Sequence, residues 1–219
     1  MIAAALTALL LSVQPADDAA PGPMARSVAL ETAFPFWTDY LALPDDQRSA
    51  FTLDYVITVR SGAPARFWFE RDDGFQPVSF EPGGAVQPPE PAAFQAGRRL
   101  FTDAPEGGAS VSMRLSLPGP PRQTYALAEL KLALGQAGAA MRDLMGLRAL
   151  FMPRLDTVRF SFDGPAPEAV IVFADGREAP IESVYGDVVT VRPQSRALRE
   201  AVEIRFAAPP VIAVLETGR

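Results

Sequence analysis

The chain has 219 residues, 48% of them apolar and 21% charged, with a formal net charge of −6 and neither histidine nor cysteine. That composition is globular and suits one or two ordinary domains. The missing side chains exclude Ser-His-Asp and Cys-His nucleophile systems, disulfides, and zinc sites built on imidazole or thiolate. No basic run is longer than Arg98-Arg99, so nucleic acid, whose phosphates need a concentrated basic face, is not an expected partner. Arginine outnumbers lysine 19 to 1, the codon bias of a GC-rich bacterial genome.

In chain order, Ile2 to Val13 is an apolar stretch interrupted only by Thr7 and Ser12. Its length suits a secretory signal and falls short of the ~20 residues that span a bilayer. Pro15 breaks it, and cleavage is expected after Ala16 or Ala20, so residues 1–20 read as a signal peptide. The signal lacks the usual positive start, and no cysteine follows it for lipid attachment. No later stretch reads as a membrane span. The mature chain is therefore expected in the periplasm, or secreted.

Asp17 to Ala25 reads as a flexible lead-in. From Ser27 to Phe51 an interrupted helical pattern places Phe34, Trp37, Tyr40 and Leu41 on one face. Pro44 opens a second short helix with Asp45 and Asp46 in its first turn. Strands are expected at Leu53–Val59, Ala65–Arg71 and Phe75–Phe80, with Asp73-Gly74 as a hairpin turn. A long Pro/Gly-rich loop is expected over 81–108, then a strand at Ser110–Leu117. A helix from about Ala126 to Leu150 carries an apolar stripe that includes Met141 and Met145. Further strands are expected at Leu155–Phe162, Ala169–Phe173, Ile181–Tyr185, Val188–Arg192 and Ala201–Phe206.

The halves resemble one another. Leu53-Asp54-x-Val56 matches Leu155-Asp156-x-Val158, Gly62 matches Gly164, and Asp73-Gly74 matches Asp175-Gly176. Met113-Arg114-Leu115-x-x-Pro118 also resembles Ile204-Arg205-Phe206-x-x-Pro209. The expected fold is α+β: an internally duplicated unit of helix plus antiparallel sheet forming a pseudo-dimer, with residues 21–121 as the first copy and 122–219 as the second. The alternative is two β-sandwich-like lobes joined by a helical segment.

No phosphate-binding glycine loop is present. Lys131 is the only lysine, and no Ser-x-x-Lys arrangement accompanies it. Asp54 and Asp156 could meet as a proton-sharing pair, although caps at the start of two strands explain them more simply. Asp72-Asp73-Gly74 lacks the spaced acids of a calcium loop. Strict alternation puts Arg66, Trp68 and Glu70 opposite Phe67 and Phe69. Trp68 would then be an exposed binding residue unless another segment covers it. Arg98-Arg99, within the loop, would meet an acidic partner or a lipid head group unless it is simply a solvated pair, and Met141 with Met145 would line an apolar groove or pack as ordinary core. The binding candidates are thus Trp68, Arg66, Glu70, Arg98, Arg99, Met141 and Met145. No catalytic residue, metal or cofactor is expected.

The leading expectation is a non-catalytic envelope protein that binds another protein or envelope component. A carrier or sensor of an apolar ligand is the first alternative, and a carboxylate-based hydrolase using Asp54 with Asp156 or another acid is the second.

Overall fold

The computed structural model describes residues 20–22, 25–60, 64–81, 84–146, 153–181 and 184–218. The expected signal peptide, Gly62 and the end of the long helix with Phe151 and Met152 lie outside the described residues, apart from Ala20. The fold is mixed and strand-rich, with three antiparallel sheets. Two compact units divide the chain: Met1–Ala33 with Ile57–Val111, and Phe34–Val56 with Ser112–Arg219.

The first unit is centred on a four-stranded sheet of β1 (Arg26–Ala29), β6 (Arg99–Thr102), β3 (Phe67–Arg71) and β4 (Gly74–Pro77), in that order. A turn at Asp72-Asp73 closes the β3–β4 hairpin, one residue earlier than the expected Asp73-Gly74; Gly74 opens β4 opposite Arg71 at φ 141°, which a side chain would resist. Helix α1 (Leu30–Ala33) follows β1, and helix α4 (Pro91–Gln95) begins on proline, whose fixed φ suits a first helical turn.

Two expectations fail in this unit. The segment 81–108 is not a structureless loop: it contains β5 (Ala85–Val86), α4 and β6. Arg26–Ala29, where a helical pattern is expected from Ser27 onward, is an edge strand, paired with β6 from Arg26↔Thr102 to Ala29↔Arg99. Both misreadings share a cause, since each strand exists by pairing with a segment some seventy residues away and has too few residues to show a period of its own.

The second unit is built around helix α5 (Leu127–Met145), which buries Leu127, Leu130, Ala133, Leu134, Ala137, Ala140 and Met141. This is the stripe that the leucine spacing predicts. A four-stranded sheet runs β11 (Glu178–Pro180), β10 (Ala169–Phe173), β14 (Ala201–Phe206), β8 (Thr124–Ala126). The Asp175-Gly176 turn joins β10 to β11, with Gly176 at φ 83°.

A seven-stranded sheet has the order β12 (Val184–Tyr185), β13 (Val188–Val191), β9 (Leu155–Ser161), β15 (Ile212–Thr217), β7 (Ala109–Ser116), β2 (Thr52–Val59), β5. Ile57–Val59 of β2, Ala109–Val111 of β7 and β5 belong to the first unit, and the remainder to the second. β15 pairs with β9 on one side and β7 on the other, and Ala213, Val214 and Leu215 are all buried. A strand covered on both faces reads as a continuous apolar run instead of an alternation.

An aromatic cluster of Phe34, Trp37, Tyr40, Phe51 and Tyr55 packs beside β2 in the second unit. Trp37 and Tyr40 lie on α2 (Trp37–Ala42), which α3 (Asp45–Arg48) follows after Pro44. Phe36 sits at φ 68°, the left-handed region, as α2 begins. The Tyr55 hydroxyl donates to the Pro35 carbonyl beside it and pins that turn. Burial raises the pKa of this phenol, so it stays a donor.

The segments Met113–Leu115 and Ile204–Phe206, alike in sequence, are not equivalent in place. The first lies in β7 of the seven-stranded sheet, the second in β14 of a four-stranded one.

Candidate anion-binding hollow

The residues expected to bind sit in two separate places. Arg66, Trp68, Glu70, Arg98 and Arg99 gather on the β3–β6 pair of the first unit, while Met141 and Met145 lie on α5 of the second. Trp68 is 1% exposed, between Phe67 at 4% and Phe69 at 6%. The expectation of an outward indole is therefore corrected: both faces of β3 are covered. Pro77 and Phe101 stand directly opposite Trp68 on the neighbouring strands and share its face. The Arg66 guanidinium covers the ring at 5.4 Å from its centroid. The indole Nε1 is buried and finds no acceptor among the described residues.

The polar residues around it are committed to one another. Arg66 Nε donates to Asp103 at 3.0 Å, and its backbone N–H reaches the same carboxylate. The carboxylate of Glu70 accepts from the Arg99 backbone N–H at 3.1 Å. Arg99 donates through its side chain to Ser27, and Arg98 pairs with Asp72. Arg98-Arg99 thus ties β6 to its neighbours instead of standing free in a loop. Met141 is buried in the packed face of α5, and Met145 is half-buried on the same helix.

Asp54 and Asp156 do not meet. β2 and β9 are separated in the sheet by β7 and β15, three strand spacings of ~4.8 Å each. Each aspartate has its own partners. Asp54 accepts from Ser116 and lies 3.6 Å from Arg114. Asp156 accepts from Thr157 Oγ1 at 2.8 Å and from the Gly218 N–H at 2.6 Å. The Thr157 bond is the main cause holding its carboxyl below the usual range; the Gly218 bond and the charges of Arg192 and Arg154 act in the same sense, against a desolvation effect.

Beside these arginines the second unit has a hollow of about 600 Å³ lined by Lys131, Pro193, Gln194, Ser195, Arg196 and Arg199. Lys131 projects from the rim of the buried stripe of α5 and is half-buried. The other residues belong to the segment between β13 and β14, where Arg196–Leu198 forms one 3-10 turn. Leu198 is 7% exposed and anchors that turn, while Arg196 and Arg199 are exposed. Arg154 donates to Gln194 Oε1 at 2.7 Å and fixes that carboxamide from behind. No carboxylate among the described residues lines the hollow. Among the described residues, Lys131, Arg196 and Arg199 enter no ion pair, although the chain as a whole is acidic. A concentration of unneutralised cations with several donors is the arrangement that binds anions.

Compared with family models, with curated proteins and with solved structures, the chain finds no match in any of the three. Sequence reasoning missed the hollow. The signal available to it was the stretch 192–199, with three arginines and no acid, whose cations are spaced instead of contiguous. Among the described residues no group of acids could hold a metal ion, and no helix is long and apolar enough to cross a membrane.

Proposed function

We propose that this protein is a non-catalytic binding protein of the bacterial cell envelope, exported through its N-terminal apolar segment. It holds an anionic group of its ligand or partner in the hollow of Lys131, Gln194, Ser195, Arg196 and Arg199. The observation that carries the reading is the gathering of three cations, unpaired among the described residues, around about 600 Å³ in a chain of net charge −6. The Ile2–Val13 stretch supports export. The carrier reading draws no support from α5, where Met141 is 3% exposed within a packed face.

We further propose that the chain is an internal duplication. The paired order β4-β3-β6-β1 has the same connectivity as β11-β10-β14-β8: hairpin return, hairpin start, penultimate strand, strand before the helix. On this reading β2 corresponds to β9, β7 to β15 and β5 to β13. Asp54 and Asp156 then stand at the same place in each copy, as do the two hairpins that carry Asp73-Gly74 and Asp175-Gly176. The match of Met113–Leu115 to Ile204–Phe206 drops out.

The test of the binding role uses the single lysine. Reductive methylation with carbon-13 labels Lys131 and the α-amino group alone, and the second serves as internal control. Titration with citrate at constant ionic strength is expected to move the Lys131 resonance saturably and leave the control in place. Arg196→Ala with Arg199→Ala should abolish that movement. A Lys131 resonance that responds only to ionic strength would sink the reading. Export is checked separately by the mature mass of protein from the periplasm, expected to begin after Ala16 or Ala20.

A further inference from the structure

If the hollow binds anions, as just proposed, its lining also specifies the kind of anion, and the inference rests on that binding role. Lys131 offers three N–H donors, and each of the two arginines offers five. The Gln194 carboxamide oxygen is already taken by Arg154, which leaves its NH2 group as the free end. Ser195 adds a hydroxyl. The lining is thus dominated by donors, and no acid among the described residues neutralises them.

Arg196 and Arg199 stand three residues apart across a 3-10 turn. Side chains at that spacing eclipse, so both guanidinium groups leave the turn on one side, while Leu198 is buried. A guanidinium is a planar fork that takes two oxygens of one phosphate or carboxylate, whereas an ammonium acts as a compact point charge. Two forks and a point charge exceed what one orthophosphate, with at most about two negative charges near neutral pH, can use. The hollow is also several times larger than one phosphate.

We propose that the hollow recognises a diphosphate. One phosphoryl group sits on each arginine fork, Lys131 neutralises the remaining charge, and Gln194 and Ser195 hydrogen-bond the organic group that carries the diphosphate. The same chemistry is found on soluble diphosphate esters and on membrane lipids that carry a diphosphate head.

Isothermal titration of the full chain at fixed ionic strength tests this. Inorganic pyrophosphate is expected to bind at least about tenfold more tightly than orthophosphate or citrate, the factor that one further charge-assisted hydrogen bond supplies. Arg196→Lys with Arg199→Lys keeps the charge and removes the forks, and should lose that preference. Both positions are exposed, so an unchanged thermal melt shows that the variant is folded.

Citrate binding as tightly as pyrophosphate would overturn the diphosphate assignment and leave the anion-binding role standing. Absence of binding by every anion would overturn both. A preference for pyrophosphate over orthophosphate and citrate that survives the lysine replacements would overturn the role of the forks. For the source, uridine diphosphate is compared with phosphatidylcholine vesicles carrying a polyprenyl diphosphate. Tighter binding than pyrophosphate in either arm supports the proposal and names the source; in neither arm, the role of Gln194 and Ser195 is overturned.

Discussion

Trp68 separates a surface binding residue from a structural one, and replacing it by alanine and by phenylalanine gives different numbers for each case. The side chain is 1% exposed, so Trp68→Ala removes a full aromatic burial and leaves a cavity, at a cost of about 3–5 kcal/mol. Trp68→Phe keeps one ring beside Pro77 and Phe101. It gives up ~1–2 kcal/mol of apolar burial and a few tenths of the interaction with Arg66. It also removes the Nε1 donor, which has no acceptor among the described residues; such an unsatisfied buried group costs about 1–3 kcal/mol. These terms nearly cancel, so Trp68→Phe is expected to lie within about 1 kcal/mol of the native protein. Urea unfolding followed by the fluorescence of the remaining tryptophan, Trp37, measures both variants. An exposed Trp68 would give two changes of less than about 0.5 kcal/mol. A loss in Trp68→Phe close to that in Trp68→Ala would refute the argument, because it would mean that Nε1 has a partner.

Arg196→Ala with Arg199→Ala should leave stability within about 0.5 kcal/mol of native, since both are exposed and neither enters an ion pair among the described residues; a large loss of melting temperature would show them to be structural. Asp156→Asn tests the depressed carboxyl. A group whose folded pKa is lowered contributes stability above its unfolded pKa and loses it as pH falls through the folded value. The variant should therefore be less stable than native at neutral pH, with the gap narrowing below about pH 4; a gap independent of pH would contradict the assignment. Gly176→Ala places a side chain at φ 83° in the β10–β11 turn and should cost about 1–2 kcal/mol in urea unfolding. No change would mean that the turn relaxes to another form.

What was legible in the sequence is what local chemistry dictates. Asp73-Gly74 marks the β3–β4 hairpin, whose turn falls on Asp72-Asp73, and Gly176 takes positive φ within the β10–β11 turn. The leucine spacing on α5 reports the face that the helix buries. The illegible parts are set by distant pairing. β1 and β6 become strands through each other, and the central β15, buried on both faces, gives no alternation to read. Trp68 misleads for the same reason: alternation predicts two faces but cannot say that both are covered. The hollow combines Lys131 with residues 193–199, more than sixty positions away. No spacing rule connects them.

On the proposed duplication, two corresponding basic segments have different surroundings. On that reading the segment from β5 to β6 corresponds to the segment from β13 to β14, the first carrying Arg98 and Arg99 after its helical turn and the second Arg192, Arg196 and Arg199 around its own. Adjacent Arg98 and Arg99 form a visible basic pair whose side chains are both engaged: Asp72 takes Arg98, and the Arg99 guanidinium donates to Ser27 on β1 while its backbone N–H donates to Glu70 on β3. Between β13 and β14, Arg196 and Arg199 have no such partners among the described residues, and both line the hollow from one 3-10 turn. The contrast has a physical sense. Cations placed next to acids and strand ends brace a sheet, whereas cations eclipsed on a short turn beside a half-buried lysine repel one another and are relieved when an anion binds. A duplicated framework would thereby have kept one basic segment for structure and released the other for binding. The measurable consequence is asymmetry: Arg98→Ala with Arg99→Ala should lower stability and leave anion binding intact, and the Arg196 and Arg199 replacements should do the reverse.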